Sequence, residues 1–173
     1  MGYRAAPNSP KDSKGRDKYF QGKYELINPE KYLGSTDSIY YRSSWEYKLY
    51  HWIDINERVL KWNVEGITIP YEYEENGKWT THRYFPDVYC EVQKLDGTIS
   101  KTAIEIKPYN ETIAPETPKK ETPKSLINHE YRLRLFLKNI NKWKTAKEFC
   151  ERRGIDFIII TEKFFDDKNV KIF

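Results

Sequence analysis

Two short stretches of this sequence carry side chains that could act together on a phosphate ester: Pro86-Asp87 and Glu105-Ile106-Lys107. Hard divalent cations such as Mg²⁺ bind one or two carboxylates and complete their shell with water and substrate phosphate. A cation so held lowers the pKa of water and offsets charge on a phosphodiester under attack. A lysine beside it can orient the attacking water or stabilise the developing charge. Alone, Glu-x-Lys is common on solvated strand faces and Pro-Asp is common in turns. The chain between them gives the pair its meaning. Glu105 follows Asp87 by eighteen positions, and Asp96-Gly97 lies midway. Asp-Gly is a preferred tight hairpin turn, so strands are predicted over Thr81–Gln93 and Ile99–Lys107, bringing Asp87 close to Glu105. Residues two apart on a strand share a face, so Glu105 and Lys107 point together while Ile104 and Ile106 point into a core.

Further candidates surround this trio. Ser43-Ser44-Trp45-Glu46 reads as a capping box, with Glu46 closing a helix start on Ser43. The same Glu46 could instead serve as a further metal ligand or orient water. Glu65 lies beside Gly66, where backbone could approach a ligand. His82 and Arg83 precede the Asp87 strand and could touch phosphate, although a surface position is the simpler reading. His51 and His129 fall on predicted helices, where packing or solvent is the default.

These residues need elements to position them. Trp45, Leu49, Trp52 and Ile53 recur at helical spacing and predict a helix over about Ser44–Asn56. Val59 to Pro70 predicts a strand that the proline ends. From Pro108 to Lys124 the chain is rich in Pro and Thr, a surface loop. Helices are predicted over about Ser125–Lys138 and Lys142–Arg153, the second capped by Gly154, with Arg152 and Arg153 suited to its negative end. The apolar run Phe157–Ile160 then reads as a buried parallel strand reached by a crossover. The sum is a compact α/β fold, a small mixed sheet flanked by helices, with no internal repeat.

Composition narrows the partners. The chain has 173 residues and 16% aromatics, which argues against disorder. No apolar run approaches the ~20 residues of a membrane span. Residues 1–23 contain no apolar signal core. Cys90 and Cys150, sixty residues apart and outside any CxxC, read as reduced thiols rather than a disulfide or zinc site. Residues 1–23 hold six basic and two acidic residues, and so account for the whole net charge of +4; residues 24–173 balance. The expectation is a basic, flexible arm (1–23) before one domain (24–173). The arm is either a solvated tail or a segment that docks on DNA phosphates or a partner protein.

Several motifs occur in a fixed order: Tyr41-Arg42-Ser43-Ser44-Trp45-Glu46, Ile69-Pro70-Tyr71, Arg83-Tyr84-Phe85-Pro86-Asp87 and Ile104-Glu105-Ile106-Lys107-Pro108. Trp143-Lys144-Thr145-Ala146 and Arg152-Arg153-Gly154-Ile155 extend the series. Over about Gly22 to Thr161 the chain resembles the head-completion nucleases of T-even-type tailed phages. It is similar, more distantly, to the endonuclease subunit of heteromeric transposases. Both belong to the PD-(D/E)xK nuclease superfamily. The resemblance implies a restriction-endonuclease-like α/β core and Mg²⁺-dependent cleavage of double-stranded DNA, with Mn²⁺ able to substitute. It implies that Asp87 and Glu105 are metal ligands, Lys107 the catalytic lysine and Glu46 a helix carboxylate at the metal. The implied setting is head completion in the host cytoplasm, with virion association, portal, neck or other head proteins as partners, and no membrane. Packaged DNA would be trimmed so that the filled head accepts a tail. Two alternatives remain: a head or neck connector that keeps the nuclease fold without cleaving, and a sequence-specific endonuclease, for which the chain offers no evident base-reading module.

Overall fold

A computed structural model describes residues 21–75 and 77–166. Residues 1–20, most of the expected arm, lie outside the described residues. The chain just after them is strand: β1 (Gly22–Tyr24) pairs antiparallel with β2 (Ile39–Tyr41). The helix α1 (Ser44–Ile55) follows. Ser43 caps it, its Oγ accepting the Glu46 N–H at 3.1 Å, and Leu49, Tyr50 and Ile53 recur on its buried side.

The chain continues through β3 (Val59–Val64), β4 (Ile69–Glu75), β5 (Lys78–Tyr84), β6 (Val88–Gln93), β7 (Ile99–Ile106), a short helix α2 (Tyr109–Thr112), a long helix α3 (Pro123–Glu151), β8 (Ile155–Ile160) and α4 (Glu162–Asp166). The central sheet has the order β3-β6-β7-β8. Its first three strands are antiparallel, and β8 joins β7 in parallel after the α3 crossover, as expected. The expected Asp-Gly hairpin joins β6 to β7, with Gly97 at φ 84.

The alternation along β7 divides the interior. Ile104 and Ile106 join Tyr24, Leu49, Ile53 and Trp62 in a core beneath α1. Ala103 packs with Trp143, Ala146 and Cys150 of α3 and with Ile69, Tyr71 and Tyr84 of the β4–β5 ribbon. Glu105 shares Ala103's face by the strand's period of two.

Asp54, fully buried near the end of α1, binds the segment after β1. It accepts from the Tyr24 hydroxyl (3.0 Å) and from the backbone N–H groups of Ile27 (2.7 Å) and Asn28 (3.0 Å). Hydrogen bonds to a charged acceptor are worth about 1.5–3 kcal/mol, and stranded donors add their own cost. Asp54→Ala is therefore expected to lose about 3 kcal/mol or more of stability, read as a lower urea midpoint. An unchanged midpoint would refute this role.

Four expectations need correction. The strand predicted over Val59–Pro70 ends at Val64, where Glu65 turns at φ 51; Pro70 instead lies inside β4. Both strands of a two-stranded ribbon are edges, where proline is tolerated. The strand predicted over Thr81–Gln93 is likewise two strands, separated by Phe85-Pro86-Asp87. Buried Pro86 offers no N–H to a ladder, and the chain there leaves the ribbon for the sheet. The two helices predicted between Ser125 and Arg153 are one helix of 29 residues. No Gly or Pro interrupts 124–153, and Thr122 starts the helix with a reciprocal Ser125 cap and Pro123 in first position. The expected loop 108–124 contains α2 and gives way to α3 at Pro123. Gly154, at φ 64, turns the chain out of α3 as expected.

Candidate active site

Asp87 occupies the joint between ribbon and sheet. Its carbonyl accepts the Glu65 N–H at 3.1 Å, tying it to the end of β3. Its Oδ2 accepts the Ile106 N–H at 2.6 Å, a side-chain bond that prolongs the β6–β7 ladder by one step. Glu105 lies on β7 at this point and is 4% exposed. Lys107 Nζ stands 3.2 Å from Glu105 Oε1, and the Lys107 N–H donates to the Ile160 carbonyl at 2.9 Å. The sequence-predicted trio therefore converges.

Its electrostatics are those of a site awaiting positive charge. Burial, then the neighbouring Glu105 carboxylate, pushes Asp87 up to about 7, against the opposing pull of the Ile106 N–H. Burial works against the charge on Lys107, but Glu105 and Asp87 outweigh it and raise its pKa above the ordinary lysine value. Glu105 Oε2 and the Tyr84 hydroxyl are both buried, and neither makes a hydrogen bond of full geometry among the described residues, yet the two groups interact: burial, then Glu105, pushes the Tyr84 hydroxyl upward.

Glu46 performs the predicted capping contact and reaches further. Its Oε1 accepts from Ser43 Oγ–H at 3.0 Å, and its Oε2 accepts from the Arg42 N–H at 2.8 Å and from the Tyr50 hydroxyl at 3.5 Å. It also lines, with Asp87, Glu65, Arg42 and Tyr50, a cleft of about 200 Å³. Tyr50, missed by sequence reasoning, is pushed upward by burial and by Glu46, Asp87 and Glu65, and so stays a neutral hydroxyl. Glu65 pairs with Arg42 at 3.0 Å. Gly66 is not an open approach for a ligand: a Cβ there would meet Asn63 Cβ at 2.8 Å. His82 stacks on Tyr71 and bonds Thr80 on the ribbon, His51 stacks on Tyr47, and His129 lies on α3; none lines this cleft.

Among the described residues no three His, Cys, Asp or Glu side chains form a ready-made metal cage. A Mg²⁺ ion needs no such cage, since two carboxylates with water and phosphate suffice. The buried Glu105 carboxylate and the upward-shifted Asp87 fit that demand.

Glu65, with a positive φ and a β carbon, is strained by about 1–2 kcal/mol, and its exposed ion pair returns little. Glu65→Gly is expected to raise stability by up to about 1 kcal/mol. A fall in thermal midpoint would count against strain at this turn.

Residues 56–162 match the family model described as TnsA-like endonuclease N terminal. The chain belongs to this family. A further relative is the "Head completion nuclease" of Enterobacteria phage T4, 35% identical over 143 residues, which make up 83% of this chain and 91% of the relative. As a TnsA-like endonuclease domain, the mixed sheet with helices on both faces is a restriction-endonuclease-like core. The matched TnsA-like segment includes Asp87, Glu105 and Lys107, while Glu46 precedes it.

Proposed function

We propose that this chain is a Mg²⁺-dependent deoxyribonuclease that hydrolyses phosphodiester bonds of double-stranded DNA. The observation that carries the reading is half-buried Asp87 beside buried Glu105, with Lys107 Nζ 3.2 Å from Glu105 Oε1 and Glu105 Oε2 without a hydrogen bond of full geometry among the described residues. Asp87 and Glu105 would hold the cation, with Glu46 on the Asp87 side, in the cleft that Asp87 lines and Glu105 does not, and Mn²⁺ able to replace Mg²⁺. When bound, the cation supplies positive charge against the phosphodiester and lowers the pKa of water. The Ile106 N–H fixes the Asp87 carboxylate in place in advance. Lys107 stays protonated, and its ammonium has further N–H donors, beyond the one directed at Glu105, for a phosphoryl oxygen or the attacking water. Water oxygen bonds to phosphorus as the phosphorus–oxygen bond to the leaving strand breaks.

The name of the phage relative supports a setting in head completion. The chain would cleave or trim packaged DNA in the host cytoplasm, beside portal, neck or other head proteins, and stay with the virion, so that the head accepts its tail. No helix among the described residues is long and apolar enough to cross a membrane.

The test incubates linear and circular duplex DNA with purified protein and Mg²⁺ or Mn²⁺, beside the double variant Asp87→Ala, Glu105→Ala. Wild type should degrade DNA and the variant should not. Equal inactivity of the two overturns the reading. A double variant that still yields infectious, tail-joined particles would make cleavage dispensable and favour a structural connector.

A further inference from the structure

The charge of the folded part is not evenly spread. Between Lys119 and Lys144 the chain carries eight Lys or Arg and two Glu, although residues 24–173 as a whole balance to zero. Arg134, Lys138 and Lys142 follow one another at four-residue steps along α3, so they climb one side of the helix. The β4–β5 ribbon faces them. Lys142 Nζ stands 5.6 Å from the Tyr84 ring centroid and 5.9 Å from that of Tyr71, and Lys138 Nζ stands 5.0 Å from Tyr73. Such cation–ring contacts hold a lysine stem in place while leaving the ammonium its hydrogen-bond donors.

The acidic residues nearby cancel the row only in part. Glu72 and Glu74 alternate onto the opposite ribbon face from Tyr71 and Tyr73, while Glu75 shares the tyrosine face at the ribbon's end, across from Lys78. Glu130 pairs with Arg134 at 2.6 Å. Among the described residues Lys138 and Lys142 form no ion pair. At its inner end the row reaches the candidate site through Tyr84, whose ring centroid lies 5.6 Å from Lys142 Nζ and whose hydroxyl interacts with Glu105.

We propose that Lys142, Lys138 and Arg134, set over the tyrosines of the β4–β5 ribbon, form a track that carries one DNA backbone away from the Asp87–Glu105 site. The proposal rests on the nuclease reading and adds to it the surface that grips the substrate. Eight residues of helix from Arg134 to Lys142 span about 12 Å. Measured along the duplex axis, that equals three to four base-pair steps of about 3.4 Å each. The contacts are to phosphate, so the track reads no sequence. His82, stacked on Tyr71, lies on the same ribbon face.

The test measures binding of a 20-base-pair duplex in EDTA over a range of salt, with cleavage disabled by Asp87→Asn. Each lost phosphate contact lowers the slope of log affinity against log salt by about 0.9. Lys138→Gln with Lys142→Gln, which keeps much of each stem over its ring, should reduce the slope by about two and weaken binding about 10–100-fold. An unchanged slope overturns the track. A slope lost instead when Lys11, Lys14, Arg16 and Lys18 are changed to Gln assigns the grip to the arm and overturns the track equally. Should the double variant fail to fold, exposed Glu130→Gln decides: releasing Arg134 should tighten binding several-fold, and no change overturns the proposal. Cleavage by wild type is scored separately with Mg²⁺. A failed track with cleavage intact leaves the nuclease reading standing, whereas absent cleavage removes that reading whatever the slopes show.

Discussion

Asp87→Asn should abolish DNA cleavage and, without metal at pH 8, raise the melting temperature. The two effects have opposite signs for one reason. Asp87 is pushed up to about 7 first by burial and then by Glu105, so at pH 8 the metal-free fold carries two like charges close together where water is only partly admitted. Asparagine removes one of them and keeps an oxygen that can accept the Ile106 N–H, the bond now made at 2.6 Å. The fold gains while the site loses a ligand. Removing one pre-organised charge-stabilising group typically costs about 10²–10³ in rate, and loss of the ligand that recruits a cation should cost at least that. Glu105→Gln should behave alike in activity and gain less in stability, because it weakens the 3.2 Å contact with Lys107. A structural carboxylate would respond the other way: Asp54, bound by three donors, has only stability to lose. Parallel loss of stability and activity in Asp87→Asn, read by melting and by plasmid cleavage, would sink the assignment.

The parts of the site legible in sequence were those governed by local rules. Ser43 had a capping geometry to announce it, Asp96-Gly97 a turn type, and Glu105 and Lys107 the strand period. The parts that were not legible depend on chain paths between elements. Phe85-Pro86-Asp87 reads locally as the middle of a strand, and only the existence of a separate ribbon makes it a joint. Asp87 therefore lies just outside β6, yet opposite Glu105, because β6 keeps the hairpin register. The two predicted helices leave Asn139-Ile140-Asn141 between them, yet asparagine costs well under 1 kcal/mol in a helix and packing of Trp143 and Ala146 carries the helix through. Lys142 had no signal in its own neighbourhood. Its meaning comes from Tyr71 and Tyr84, some sixty to seventy residues earlier. Glu46 was legible as a cap, but its place in the cleft required the end of β3 to bring Glu65 and Asp87 before it.

Metal should reverse the pH dependence of stability. In the unfolded chain Asp87 has its ordinary value of 3.8, and in the fold it titrates at about 7. Between these values the folded state holds a proton that the unfolded state has released. Stability therefore falls as pH rises from about 4 to about 7, by an amount on the order of a few kcal/mol for a shift of this size, and levels off above. Lys107, raised above 10.5, keeps its contribution throughout this window and loses it only in strong alkali. Asp96, held low by its Thr98 hydrogen bonds, acts below the window. The metal-free protein should thus melt higher at pH 5.5 than at pH 8. Binding of Mg²⁺ or Mn²⁺ requires the deprotonated carboxylates and favours the folded form, so added metal should raise the midpoint strongly at pH 8 and little at pH 5.5. Asp87→Asn should flatten the metal-free slope and shrink the metal-induced shift together. A wild-type midpoint that ignores Mn²⁺ at pH 8, or a slope that survives Asp87→Asn, would mean that the strain between these two carboxylates is not what a cation relieves.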